Sequence, residues 1–124
     1  MAGEVLHKER SYEIVNAAIE VWKTLGYGFL ESVYENALFH ELKKREIPCA
    51  RQHPVNVWYD GVRVGEFYVD ILVEEEVILE LKSAEVIAAA HMAQAINYLK
   101  ATGHRLAIIL NFGPDKMEFK RVVL

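Results

Sequence analysis

The sequence predicts an α/β domain with a mixed central sheet flanked by helices, in the order α-α-β-β-β-α-β-β. Three observations predict it. The chain opens with two stretches of helical periodicity. Short apolar runs bounded by turn residues follow them. An Ala-rich helical segment then separates the third run from the fourth, which predicts parallel neighbouring strands joined by a right-handed crossover.

The first helix is expected over Ser11 to Leu25, where Ile14, Val15, Ala18, Ile19, Trp22 and Leu25 form one stripe and Ser11 serves as N-cap. Gly26 and Gly28 interrupt it. A second helix runs from about Leu30 to Arg45, with Val33, Ala37, Leu38 and Leu42 as its apolar side. Lys43, Lys44 and Arg45 suit the negative end of its dipole, and Pro48 forbids continuation. Val55 to Tyr59 reads as a strand, and Asp60-Gly61 as a hairpin turn. The return strand, Val62 to Val73, is long enough to bend near Gly65. An acidic turn, Glu74-Glu75-Glu76, leads into a third strand, Val77 to Lys82. The third helix spans about Val86 to Thr102 and is closed by Gly103. Leu106 to Asn111 is a fully apolar strand, Gly113-Pro114-Asp115 turns the chain, and Met117 to Val123 makes the last strand.

With 124 residues, 52% apolar and 26% charged, the chain is expected to fold as one domain over residues 1–124. No apolar run approaches the roughly 18 residues of a membrane span, so no membrane partner is expected. MAGEVLHKER lacks the apolar core of a signal peptide. The one cysteine, Cys49, excludes an internal disulfide and a cysteine zinc cage, and points to a reducing, cytoplasmic setting. A net charge of −4 argues against a protein that coats nucleic acid by bulk electrostatics, while leaving room for a local basic rim.

The chemistry concentrates in FYVDILVEEEVILELK, Phe67 to Lys82. Asp70, Glu80 and Lys82 stand within two apolar strands, and charges in such places are costly unless paired or bound to a metal. Glu80 and Lys82 share a strand face, and a tight turn at Glu74 to Glu76 sets residues near 70 beside residues near 80. Asp70 and Glu80 then converge, and two such carboxylates repel unless a divalent cation lies between them. Carboxylate and carbonyl oxygens are what Mg²⁺ or Mn²⁺ prefers. A lysine beside the metal can orient a water and stabilise charge on a phosphate. For an arbitrary D…ExK pattern, a structural ion pair at a strand edge is the commoner explanation. Here the flanking apolar runs place the three groups in the interior.

Asp70 with Glu80-Leu81-Lys82 resembles the catalytic motif of the PD-(D/E)XK nuclease superfamily, with Val69 standing where the superfamily's name places proline. Gly28-Phe29-Leu30-Glu31-Ser32-Val33-Tyr34 resembles the signature of the GxxExxY protein family, assigned to that superfamily. Gln94-Ala95-Ile96-Asn97-Tyr98 is similar to the QxxxY element found after ExK in many of its nucleases, and the resemblance extends over about Ser11 to Val123. It implies a restriction-endonuclease-like fold. It also implies Asp70, Glu80 and the Leu81 carbonyl as ligands of Mg²⁺ or Mn²⁺, with Glu31 completing the set and Lys82 positioning or activating the attacking water.

Glu31 and Tyr34 share a helix face, as do Gln94 and Tyr98. The second pair reads either as a polar row that touches a phosphate or steadies Lys82, or as solvated surface with Tyr98 partly in the core. Tyr34 and Arg51 are the candidate substrate contacts, with Arg51 just before the first strand. His91 reads as an ordinary surface histidine. Lys43, Lys44, Arg45, Arg51, Lys100, Arg105, Lys120 and Arg121 are the basic residues from which a rim could form. Trp58 and Tyr59 are aromatic strand residues, more often core than stacking platforms. The function expected is metal-dependent hydrolysis of a nucleic-acid phosphodiester, DNA first. The competing readings are a non-catalytic binding or assembly module on the same fold, and an RNA or small-molecule phosphodiesterase. Homodimerisation is expected if the last strand leaves a sheet edge to be covered.

Overall fold

The computed structural model describes residues 7–124, so the reading of MAGEVL lies outside the described residues. The elements are α1 (Lys8–Leu25), α2 (Glu31–Lys44), β1 (Cys49–Tyr59), β2 (Val62–Val73), β3 (Val77–Lys82), α3 (Ala89–Thr102), β4 (Leu106–Phe112) and β5 (Met117–Val123), the predicted order. They form one five-stranded sheet in the order β1-β2-β3-β4-β5. β3 and β4 are parallel and every other neighbouring pair is antiparallel. The helix between β3 and β4 therefore makes the expected crossover.

The sheet separates two cores. On one face Ile14, Ala18 and Val21 of α1 and Tyr34, Leu38 and Leu42 of α2 pack on Ile71, Val73, Leu79, Leu81, Ile108 and Leu110. On the other, Ala95 and Leu99 of α3 pack on Val69, Leu72, Ile78, Ala107 and Ile109. Every residue of β4 is buried, because helices cover both its faces.

Several boundaries differ from the sequence reading. α1 begins at Lys8, after His7 in a left-handed conformation (φ 51°). Ser11 is thus not a cap: it is buried within the helix, and its Oγ accepts from Arg121 Nε at 3.3 Å. α3 begins at Ala89, so Val86 lies outside it and is exposed. β1 begins at Cys49, so Arg51 lies within the strand and not before it. The two-residue turn is as expected: Tyr59 pairs with Val62, and Asp60 and Gly61 take φ of 54° and 77°.

The β1–β2 hairpin is long and only partly embedded. β2 pairs with β3 over Ile71 to Val73 alone, so the rest of β2 runs on as a two-stranded arm with β1. The arm has a register shift between Val57 and Trp58, close to the bend expected at Gly65, which pairs with Val57. Trp58 and Tyr59, expected in the core, lie at its tip, 62% and 74% exposed.

Candidate active site

β2 and β3 part company at Asp70. Their ladder runs Val73–Val77, Leu72–Ile78, Ile71–Leu79. One step further the register sets Asp70 across from Glu80, but there the Asp70 side chain takes over: its Oδ2 accepts from the Leu81 backbone N–H at 2.8 Å. Face alternation also breaks at this point. Val69 packs on the α3 side, yet Ile71, two residues on, packs on the α1–α2 side. Strict alternation would keep them on one face. β1 changes face in step, with Cys49 toward one core and Val55 toward the other. Between them Gln52 adopts a left-handed φ of 49°. Asp70 therefore sits at a kink shared by two strands.

Glu80 is 4% exposed, and its Oε1 has no hydrogen-bond partner. Such an orphaned buried oxygen is costly as it stands. Burial pushes the Glu80 carboxyl up to about 8, with the adjacent Asp70 charge adding to the shift and Lys82 opposing it. Burial likewise pushes Asp70 up to about 6, against the Leu81 N–H, with Glu35 and Glu31 adding negative charge. Two hard-oxygen donors held together and short of compensating positive charge are the donor set that suits a divalent cation. Among the described residues, no group of three or more His, Cys, Asp or Glu side chains is gathered tightly enough to hold a metal ion. The expected meeting of Glu31 with Asp70 and Glu80 is therefore not formed. Glu31 stays exposed on the first turn of α2 and reaches the pair through its charge alone. Two carboxylates are still enough for Mg²⁺, which commonly keeps several waters and takes its remaining ligands from substrate phosphate.

Lys82 shares the α3 side with Glu80. Its Nζ donates to Gln94 Oε1 at 3.0 Å, and Gln94 Nε2 donates to the Tyr98 hydroxyl at 2.9 Å. Tyr98 stacks on Phe67 of β2, centroids 4.2 Å apart. Gln94 and Tyr98 thus form a hydrogen-bonded row that ends on Lys82. Burial, then the charges of Glu80 and Asp70, push the Tyr98 phenol up, so it keeps its proton. His91 accepts from the Ala88 N–H through Nδ1 at 3.0 Å, a helix-end bond and not a metal contact.

The segment Gly28 to Tyr34 acts as scaffolding. Tyr34 is 0% exposed and stacked on Phe112, which rules it out as a direct substrate contact. Its hydroxyl donates to Gly26 O and accepts from Phe29 N at 3.3 Å, so it clamps the turn before α2. Gly28, at φ 113°, occupies a conformation that side chains rarely adopt. Ser83, just past β3, donates from Oγ to Phe29 O at 3.1 Å. The turn that starts α2 is thereby tied to the end of the Glu80–Lys82 strand.

Arg51 turns toward α2. Its guanidinium bonds Asn36 Oδ1, pairs with Glu35 at 3.4 Å and lies over the Phe39 ring. Glu35, 8% exposed, also accepts from Gln52 Nε2 at 2.8 Å. Sequence reasoning passed over Glu35 although it follows Glu31 by four residues and shares its helix face. Its charge weighs on Asp70 more than that of Glu31 does. Of the basic residues, Lys44 and Arg45 are paired with Glu41, and Lys43 lies over Phe39.

The family model described as the PD-(D/E)XK nuclease superfamily matches residues 8–122. No curated protein matches the sequence. Among solved structures, the crystal structure of SSO0001 is similar, with a TM-score of 0.59 at 12% identity, covering 94% of this chain. The chain spans 60% of the length of that relative. This likeness and the strand order agree with a restriction-endonuclease-like fold. No helix among the described residues is long and apolar enough to cross a membrane.

Proposed function

The chain belongs to the PD-(D/E)XK nuclease superfamily, and from that premise we propose that it hydrolyses nucleic-acid phosphodiester bonds, DNA first, with a bound divalent cation. The observation that carries this reading is the half-buried Asp70 close to the buried Glu80, with Glu80 Oε1 unpartnered and Lys82 on the same strand face as Glu80. Within the superfamily we place the chain beside the GxxExxY proteins, on Gly28, Glu31 and Tyr34.

Asp70 and Glu80 would hold Mg²⁺ or Mn²⁺, with the Leu81 carbonyl as a further oxygen. Held there, a divalent cation would supply a water of lowered pKa and polarisation of a phosphoryl oxygen. The chain's own residues do the rest. The Leu81 N–H fixes the Asp70 carboxylate by donating to its Oδ2. Lys82, held by Gln94, orients the attacking water and stabilises negative charge as the phosphate is attacked. Tyr98, which keeps its proton, supports Gln94 from behind. Glu31 adds negative charge near the pair.

The test is a panel of single-stranded, double-stranded and branched DNA, and single-stranded RNA, each with Mg²⁺ and with Mn²⁺. Cleavage that disappears in Lys82→Ala, while that variant keeps its unfolding transition, is the expected result. Absence of cleavage on the whole panel overturns the reading. Stabilisation by Mn²⁺ without cleavage would favour the non-catalytic binding module.

A further inference from the structure

Beyond the last β2–β3 pair, the β1–β2 arm and α3 leave a groove between them of about 750 Å³. Asn56 and Trp58 line it from the arm; Asn97, Tyr98 and Lys100 line it from α3; Phe67, stacked on Tyr98, closes its inner end. Three properties make it more than a crevice.

The groove adjoins the candidate active site through Tyr98. Tyr98 belongs to both, since it lines the groove and also receives the hydrogen bond from Gln94, which holds Lys82. Two elements give the offset independently. Tyr98 follows Gln94 by four residues, ~6 Å along a helix. Phe67 precedes Asp70 by three, ~10 Å along a strand. A chain leaving a phosphate at Lys82 enters the groove within a step or two of its backbone.

Its charge is also of the right sign. The lining residues include Lys100 and no Asp or Glu, in a chain whose net charge is −4. Finally, Trp58, 62% exposed, lines the groove together with Asn56 and Asn97. An exposed indole, amide groups and a cation in one groove are the chemistry that holds a nucleotide: a face for the base, donors and acceptors for its edge, a charge for its phosphate. A duplex hides base faces in its own stack; an unpaired strand offers them.

We propose that this groove binds an unpaired nucleic-acid strand, with one base stacked on Trp58 and a neighbouring phosphate at Lys100, so that single-stranded segments and not intact duplex are the substrate class. The proposal rests on the nuclease reading for what lies at the far end of the groove, but strand binding is measurable without cleavage.

The experiment is fluorescence anisotropy in EDTA on the full chain, with fluorescein-labelled oligothymidylate, oligouridylate and a blunt duplex of equal length. Both single strands are expected to bind more tightly than the duplex. Trp58→Ala should weaken single-strand binding by on the order of tenfold, the scale of one base–aromatic stack, and Trp58→Phe should restore most of it. Lys100→Ala should lower the salt dependence by about one counterion. Unfolding curves of each variant establish that the fold is intact. Tighter duplex binding, or wild-type affinity in both Trp58→Ala and Lys100→Ala, overturns the proposal. A chain that cleaves DNA with Mg²⁺ while Trp58→Ala binds and cleaves as wild type refutes the groove and leaves the nuclease reading standing. Trp58-dependent strand binding without cleavage does the reverse.

Discussion

Lys82 Nζ donates to Gln94 Oε1 at 3.0 Å, joining the end of β3 to the middle of α3. The contact holds an ammonium on a flexible stem at one place beside two carboxylates. A small misplacement of a catalytic group can cost on the order of 100-fold in rate. Gln94→Ala is therefore expected to lower kcat by roughly 10- to 100-fold, with the metal-dependent rise in stability retained. In the Lys82→Ala background the same change should add little, because the two residues act as one unit. Full additivity in that cycle would contradict the positioning role.

The metal-free protein should lose stability as pH rises, opposite to the usual carboxylate behaviour. Asp70 and Glu80 are raised in the folded state, to about 6 and about 8. The folded chain then holds protons that the unfolded chain has released, and stability falls with pH across that interval. Their contribution is fully present below the ordinary carboxylate range and is lost as pH passes through the raised values. Thermal unfolding in EDTA from acid to mildly alkaline pH checks the sign. Glu80→Gln should flatten the slope, and Mn²⁺ should restore more stability at the alkaline end, since metal replaces protons. A Tm that rises with pH over this interval in the absence of metal contradicts the account.

Tyr34→Phe removes a buried hydroxyl that bonds Gly26 O and Phe29 N. The expected cost is about 1–3 kcal/mol in urea unfolding. Tyr34→Ala also empties a core position stacked on Phe112 and should cost about 3–5 kcal/mol. Unchanged stability with a raised KM would return Tyr34 to the substrate.

Arg51→Ala removes the guanidinium from the Glu35 carboxylate and leaves it the Gln52 Nε2 hydrogen bond. A loss of about 1–3 kcal/mol is expected, read from the urea midpoint. A rise in KM with stability intact would make Arg51 a substrate contact after all.

The order of elements was legible in the sequence because each has a strong period or a strong turn. The β2–β3 register, with Ile71 opposite Leu79, was legible because the Glu74–Glu76 turn between the two strands is short. What escaped has physical reasons. The first half of β1, Cys49 to Pro54, carries no apolar alternation, because it is half of an edge pair and much of it is exposed. Helix periodicity put Glu31 and Tyr34 on one side but could not say which residue the core would take; it took Tyr34 and left Glu31 in solvent. Glu35 went unremarked because nothing in the local pattern reveals that Arg51 and Gln52 of another element would bury it. Trp58 and Tyr59 are exposed because the hairpin outruns its neighbour β3, a difference in length that appears once the strands are paired.

The most direct test of the central claim is calorimetric titration of Mn²⁺ into the wild-type chain and into Glu80→Gln near neutral pH. The account predicts saturable binding with proton release in the wild type, and its loss in Glu80→Gln with the fold intact. Equal binding by both proteins, or none by the wild type, would contradict a cation held between Asp70 and Glu80.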